Sequence, residues 1–207
     1  MITDILPAGV AAAESFGPPG GWKLLPGEAA AIATASPGRR AEFAAGRAVA
    51  HAALASLGAP AGPVLPGRAG EPRWPGGVLG SITHCAGYRA CAVTWARDLA
   101  AIGIDAEPRQ ALPDGLLAEV AGAAERAWLA ELGAATPGVP WDRVLFSAKE
   151  AGYKAWYFRT GQRPGLRSMT VRVFAAGTFA VALAPARLTG RWLVSDGLII
   201  TAVTVPR

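Results

Sequence analysis

The sequence predicts an α+β fold in which a helix followed by short strands occurs twice. Three observations lead there. Apolar residues recur at helical spacing in three long stretches. Between and after them lie runs of four to eight residues rich in Val, Ile, Thr and aromatics, bounded by Gly and Pro, which read as strands. With 207 residues and 52% hydrophobic side chains, the chain can bury a substantial core, so disorder is excluded as its dominant state.

Taken in order, Pro18-Pro19-Gly20-Gly21 and Ser36-Pro37-Gly38 punctuate the first part. Ser36 or Pro37 opens a helix over Arg39 to Leu57, closed by Gly58 and Pro60. Residues 59–77, rich in Pro and Gly, read as an ordered loop. Leu79 to His84, Ala90 to Trp95 and Leu99 to Asp105 read as strands, the last two joined at an Arg97-Asp98 turn. After Pro108 and Pro113, helical stretches are expected near Leu116 to Leu132 and Trp141 to Phe158. Strands then return at Thr170 to Phe174, Thr178 to Leu183, Arg191 to Val194 and Leu198 to Val205.

A formal charge of +5 and a pI near 9.8 favour an anionic partner. The arginines are dispersed and no zinc-finger or RNA-binding aromatic motif is present, which makes nucleic acid the weaker choice. Cys85 and Cys91 are too few for a disulfide scaffold and lack C-x-x-C spacing, and a strand cysteine flanked by apolar residues reads as packing. No stretch reaches the ~20 apolar residues needed to span a bilayer, and the N-terminus lacks a basic leader; a soluble cytoplasmic protein is expected.

Chemistry concentrates in two segments. Asp105 and Glu107 are two apart in a strand, so both carboxylates leave one face, and Glu150 and Lys154 are four apart on a helix. Each pair alone is ordinary surface, a solvated Asp-x-Glu or a helix ion pair worth roughly 0.2–0.5 kcal/mol. Two features argue for more. The segment before Asp105 is apolar (Leu99 to Ile104), and two of the three lysines, Lys149 and Lys154, flank Glu150 in a chain that otherwise uses Arg. Carboxylates converging as hard oxygen ligands suit Mg²⁺, which is commonly shared with substrate phosphates.

Gly46-Arg47, Gly80-Ser81-Ile82-Thr83-His84-Cys85, Gly103-Ile104-Asp105-Ala106-Glu107-Pro108 and Phe146-Ser147-Ala148-Lys149-Glu150 through Tyr153-Lys154-Ala155 occur in this order. Together they resemble the 4'-phosphopantetheinyl transferases over nearly the whole chain, most closely the enterobactin-synthetase-type branch of the surfactin-synthetase-activating class. The resemblance implies a pseudo-twofold pair of α+β subdomains, residues 1–107 and 108–207, each a helix on a small, mainly antiparallel sheet. It implies transfer of the phosphopantetheine arm of coenzyme A to a serine of an acidic acyl or peptidyl carrier protein, releasing adenosine 3',5'-bisphosphate, by a monomer acting with Mg²⁺ or Mn²⁺.

Residue by residue, the resemblance makes Asp105, Glu107 and Glu150 the metal ligands and Lys154 the catalytic lysine that neutralises the leaving bisphosphate. The serine needs a base, and either Glu150 or a metal-bound water would serve. Thr83 and His84 fall in a phosphate-holding block and Arg47 at a 3'-phosphate position, where a guanidinium fork is well shaped. Arg40 and, in the Gly70-Glu71-Pro72-Arg73-Trp74-Pro75 loop, Arg73 are further coenzyme A candidates; Trp74 is read equally as packing or as stacking. Departures are His51 in place of Arg, Glu71 in place of Lys, and Gly152, which costs a helix ~1 kcal/mol and either loosens Lys154 or gives substrate room. An idle coenzyme A or carrier-binding module would be expected to lack one of Asp105, Glu107, Glu150 or Lys154; all four are present.

Overall fold

A computed structural model of the chain describes residues 1–18 and 20–207; Pro19, within the first Pro-Gly punctuation, lies outside them. Among the described residues, two short α-helices, two 3-10 helices and ten strands accompany three longer helices. In the first half, β1 (Ala11–Phe16), β4 (Val78–Cys85) and β5 (Tyr88–Trp95) form an antiparallel sheet in the order β1-β5-β4. Helix α1 (Pro26–Ala31) is short, and α2 (Pro37–Leu57) packs Val49, Ala50, Ala53 and Leu54 on Val78, Cys91 and Val93 of that sheet. The Ser36 hydroxyl accepts the Arg39 N–H, Pro37 occupies the first turn, and Gly58 leaves in the left-handed region at φ 73, so α2 is punctuated as its sequence requires. Within the 59–77 loop, β2 (Leu65–Pro66) and β3 (Pro72–Arg73) make a minimal hairpin.

In the second half, β6 (Leu99–Pro108), β7 (Thr170–Phe174), β8 (Thr178–Leu183), β9 (Ala186–Ser195) and β10 (Leu198–Pro206) form an antiparallel sheet in the order β6-β10-β9-β8-β7. The helical stretch expected near Leu116 to Leu132 is divided at Ala121-Gly122 into α3 (Leu116–Val120) and α4 (Ala123–Ala135). Glu125 causes the restart, because its carboxylate accepts the Gly122 N–H at 2.8 Å and caps the new helix. Helix α5 (Trp141–Thr160) lays Val144, Leu145, Ala148, Ala151 and Ala155 across the sheet. The fold is therefore two helix-on-antiparallel-sheet halves. No described helix is long and apolar enough to cross a membrane.

Strand β6 joins the halves. Expected to close the first one, it hydrogen-bonds instead along β10, with Asp105 opposite Thr201 and Glu107 opposite Ile199. Its other neighbour is β4, where side chains replace a backbone ladder: the Ile104 N–H donates to Ser81 Oγ at 3.1 Å and the Ala106 N–H to Thr83 Oγ1 at 2.9 Å. Alternation on β6 sends Ile102, Ile104 and Ala106 into the core between the sheets, and Ala101 into the core beneath α5. Gly103 lies under the same helix; a Cβ there would stand 2.1 Å from the Ala151 carbonyl oxygen and 2.6 Å from the Ala155 nitrogen. The absence of a side chain at Gly103 thus fixes how closely α5 approaches the strand that carries Asp105 and Glu107.

Candidate active site

Asp105 sits 5% exposed where β4, β6 and α5 meet. Its Oδ1 accepts hydrogen bonds from Lys154 Nζ at 2.8 Å and Thr83 Oγ1 at 3.3 Å, and its Oδ2 from Ser147 Oγ at 2.9 Å. Ser147 is steadied by Thr201 on β10, whose hydroxyl donates to the Ser147 carbonyl at 3.0 Å. Lys154 also donates to the Ile104 carbonyl at 2.9 Å, so the lysine pairs across elements to Asp105 and not along its helix with Glu150. Glu107, half-buried, accepts Arg143 Nη1 on Oε2 at 2.7 Å. Glu150, also half-buried, makes no hydrogen bond among the described residues. Helix α5 therefore presents one polar stripe, Arg143, Ser147, Glu150 and Lys154, spaced four, three and four residues apart, toward the strand face that carries Asp105 and Glu107.

Electrostatics reveal surplus negative charge. Burial pushes the Glu107 carboxyl above the ordinary range, the Asp105 charge adds to this, and Arg143 opposes it. Glu150 is raised in the same way, by burial first and then by Asp105, with Lys154 opposing and Glu107 contributing. Among the described residues, no three His, Cys, Asp or Glu side chains stand at metal-binding spacing, and Lys154 and Arg143 occupy oxygens of Asp105 and Glu107. The donor chemistry nevertheless fits a hard divalent cation. The set is all carboxylate, and such a cation would relieve the repulsion from Asp105 that adds to burial in raising Glu107 and Glu150.

Beside this group runs a cleft in two lobes that share Gly70, Pro72 and Ile82. One lobe, about 260 Å³, is lined by Lys154, Tyr153, Tyr157, Phe158 and Ser81. The other, about 330 Å³, is lined by Arg39, Phe43, Gly46, Arg47 and His84. Arg47 is buried, its guanidinium 4.0 Å above the Phe43 ring and its Nε donating to the Val64 carbonyl at 2.5 Å. His84 is exposed at the rim, and partial desolvation of its ring lowers its pKa below the usual imidazole value.

The other expected coenzyme A contacts lie elsewhere. Thr83 is 3% exposed, and its hydroxyl donates to Asp105 and accepts the Ala106 N–H, so it orients that carboxylate. Arg40 is exposed on α2 and is not part of either lobe. Arg73 lines a separate cavity with Pro60, Pro63 and Trp74. Trp74 packs: a Cβ at Gly80 would meet its ring at 2.7 Å, and its indole N–H donates to the Gly80 carbonyl at 2.9 Å.

Lys149, adjacent in sequence to Glu150, is fully buried on the opposite side of α5. It is bound to Glu125 at 2.9 Å and donates to the Leu166 and Met169 carbonyls, a structural tie. Cys85 is half-buried, and its thiol is pushed up to about 11, chiefly by burial and then by Glu107 and Asp105, which removes it as a nucleophile near neutrality.

A family model described as the 4'-phosphopantetheinyl transferase N-terminal domain matches residues 27–94, and one for the 4'-phosphopantetheinyl transferase superfamily matches residues 101–203. The chain is 48% identical to the 4'-phosphopantetheinyl transferase Svp of Streptomyces mobaraensis over 88% of its length and 78% of that protein. It is 38% identical to the 4'-phosphopantetheinyl transferase PptT of Mycobacterium tuberculosis over 99% of its length and 98% of that protein. The chain belongs to the 4'-phosphopantetheinyl transferases. Enterobactin synthase component D of Salmonella typhimurium is a more distant relative, 33% identical over 80% of this chain and 72% of that one.

As a phosphopantetheinyl transferase, the enzyme moves the phosphopantetheine arm of coenzyme A to a carrier-protein serine. Its departures now have locations. His51 is not directed to a phosphate: its Nε2 lies 2.8 Å from Glu28, a fully buried carboxylate that also accepts the Val64 N–H. Glu71 accepts the Ala69 N–H at 2.8 Å and lines the Lys154 lobe. Gly152 neither breaks α5 nor opens space for substrate; a Cβ there would stand 3.1 Å from Val181 Cγ2, so glycine seats the helix on β8. Ser147 and Arg143 escaped the sequence reading as functional residues, although their place on the Glu150–Lys154 stripe was the available signal.

Proposed function

We propose that this transferase works with Mg²⁺, or Mn²⁺ in its place, held by Asp105, Glu107 and Glu150. Lys154 serves the leaving group, and Arg47 and His84 serve the phosphates of coenzyme A. The observation that carries the reading is Asp105 itself, buried at the seam, gripped by groups from β4 and α5 and set beside a two-lobed cleft. When bound, the cation would draw charge from the scissile pyrophosphate.

This chain's residues supply the rest. Lys154 lines the cleft and bears an ammonium that neutralises the departing adenosine 3',5'-bisphosphate. Glu150, without a hydrogen-bond partner and with a raised carboxyl pKa, is matched to accept the serine proton. Arg47, stiffened on Phe43, offers its fork to the 3'-phosphate, with His84 across the same lobe. Thr83 and Ser147 keep Asp105 aimed.

An acidic carrier fits the charge distribution. After Glu150 the chain carries Lys154 and seven arginines, with Asp196 as the sole acidic residue. The enzyme is read as a cytoplasmic monomer of two α+β units, residues 1–107 and 108–207, with β6 of the first unit paired into the sheet of the second. The test is mass spectrometry of an apo carrier protein incubated with enzyme and coenzyme A. Holo product should form with Mg²⁺ or Mn²⁺, vanish with chelator and return on metal addition. Full turnover under chelation overturns the cation assignment. Lys154→Ala should lower kcat with little change in coenzyme A affinity, and an unchanged kcat removes Lys154 from the leaving-group role.

A further inference from the structure

We infer that Arg143 is a positioning residue for the transfer reaction, holding Glu107 in the orientation in which that carboxylate meets the divalent cation. The inference rests on the reading of Glu107 as a cation ligand. Arg143 is buried in the first turn of α5, and its guanidinium is committed in three directions: Nη1 to Glu107 Oε2 at 2.7 Å, Nε to the Gln110 carbonyl at 3.1 Å and Nη2 to the Ala111 carbonyl at 2.8 Å. Three acceptors on different edges fix the plane of the fork.

The neighbouring residue completes the clamp. Asp142 Oδ2 accepts the Leu112 N–H at 2.8 Å, and its Oδ1 accepts the Arg143 N–H at 2.8 Å. The start of α5 thus pins residues 110–112, just beyond the end of β6, as well as the carboxylate on its last turn of strand. Only Oε2 of Glu107 is taken; Oε1 makes no hydrogen bond among the described residues and remains available to a ligand. Asp105 is aimed by Thr83, Ser147 and Lys154, Glu107 by Arg143, and Glu150 by no hydrogen bond. Two carboxylates are therefore set in advance and one is left to adjust. Lysine cannot reproduce this, because a point ammonium on a flexible stem does not span Glu107, Gln110 and Ala111 together.

The experiment measures Mn²⁺ binding to the carrier-free, coenzyme A-free protein by electron paramagnetic resonance, for Arg143→Met, Arg143→Lys, Glu107→Gln and the double variant Arg143→Met/Glu107→Gln. Melting temperature and coenzyme A affinity in chelator are followed alongside. Loss of an outer partner of a metal ligand typically weakens affinity by about 10–100-fold. Arg143→Met should show this with coenzyme A affinity unchanged, and Arg143→Lys a smaller part of it. The double variant should bind Mn²⁺ no worse than Glu107→Gln, since the two residues act as one unit. Weakening by Glu107→Gln with wild-type Mn²⁺ affinity in Arg143→Met overturns the role of Arg143 and leaves the Glu107 reading intact. Wild-type affinity in Glu107→Gln overturns that reading, and the inference with it. Should Arg143→Met fail to fold, Arg143→Lys decides: Mn²⁺ affinity equal to wild type there overturns the inference.

Discussion

Replacing Gly103 by alanine should push α5 away from β6 and disable the enzyme while leaving it folded. The added Cβ would stand 2.1 Å from the Ala151 carbonyl oxygen and 2.6 Å from the Ala155 nitrogen, both backbone atoms of α5 that no rotamer change can move. Reaching 3.0 Å, below which real Cβ contacts are essentially never found, requires a retreat of about 1 Å. Overpacking of this kind costs about 1–3 kcal/mol. At ~2–4 °C per kcal/mol for a chain of this size, the melting temperature should fall by about 2–12 °C.

The functional loss should be larger than the loss of stability suggests, because α5 carries Ser147 and Lys154, now 2.9 and 2.8 Å from Asp105. Misplacement by about 1 Å is worth about 10²-fold in rate. The assay is the rate of holo-carrier formation at saturating coenzyme A and Mg²⁺, read by mass spectrometry, with thermal melting in parallel. Gly133→Ala is the control: its Cβ would meet Trp141 Cδ1 at an ordinary 4.0 Å, so it should stabilise α4 by about 0.5–1 kcal/mol and leave kcat unchanged. A folded Gly103→Ala enzyme with kcat within about twofold of wild type would refute the reasoning that this contact sets the site.

Asp105→Asn preserves the shape that meets Thr83 and Ser147 but removes the charge, and it should lower kcat by about 10³-fold; single-turnover transfer within tenfold of wild type would remove Asp105 from the chemistry. Glu150→Gln should stabilise the fold. The raised Glu150 carboxyl means that the folded protein binds its proton more readily than the unfolded chain does, so the ionised form costs stability as pH rises through the folded pKa. The variant should be more stable than wild type near neutrality while kcat falls, and its melting advantage over wild type should grow from acid to neutral pH; an advantage that shrinks over that range contradicts the assignment. Arg47→Ala should raise the KM for coenzyme A about tenfold more than that for dephospho-coenzyme A, the size expected for one charge-assisted bond, and equal effects on the two substrates would move Arg47 off the 3'-phosphate.

Long elements with strong punctuation were legible in the chain. Helix α2 begins at Ser36-Pro37 and ends at Gly58 because a hydroxyl acceptor, a fixed φ and a left-handed exit are local requirements. Strands β4 to β6 follow from branched and aromatic residues between turns. Helix α1 and strand β1 were not legible: an Ala-Ala-Ala-Glu-Ser-Phe strand has no β-branched residue, and its conformation comes from pairing with β5. The split between α3 and α4 was also hidden, because the Glu125 that caps α4 looks in sequence like any exposed helix acid, yet it is buried against Lys149 and Val171.

The same division runs through the site. The sequence by itself determined which candidate groups share a face, since Asp105 and Glu107 at period two, and Glu150 and Lys154 at period four, are facts of backbone geometry once strand and helix are granted. Only the tertiary structure decided their partners. It joined Lys154 to Asp105 across elements, turned Lys149 to the far side of α5, withdrew Thr83 and His51 into structural bonds, and brought Arg143 to Glu107. The physical reason is that hydrogen bonds and charge pairs between elements depend on separations of a few ångströms. Those separations are set by how closely two backbones pack at a residue such as Gly103, a quantity that side-chain spacing within either element does not contain.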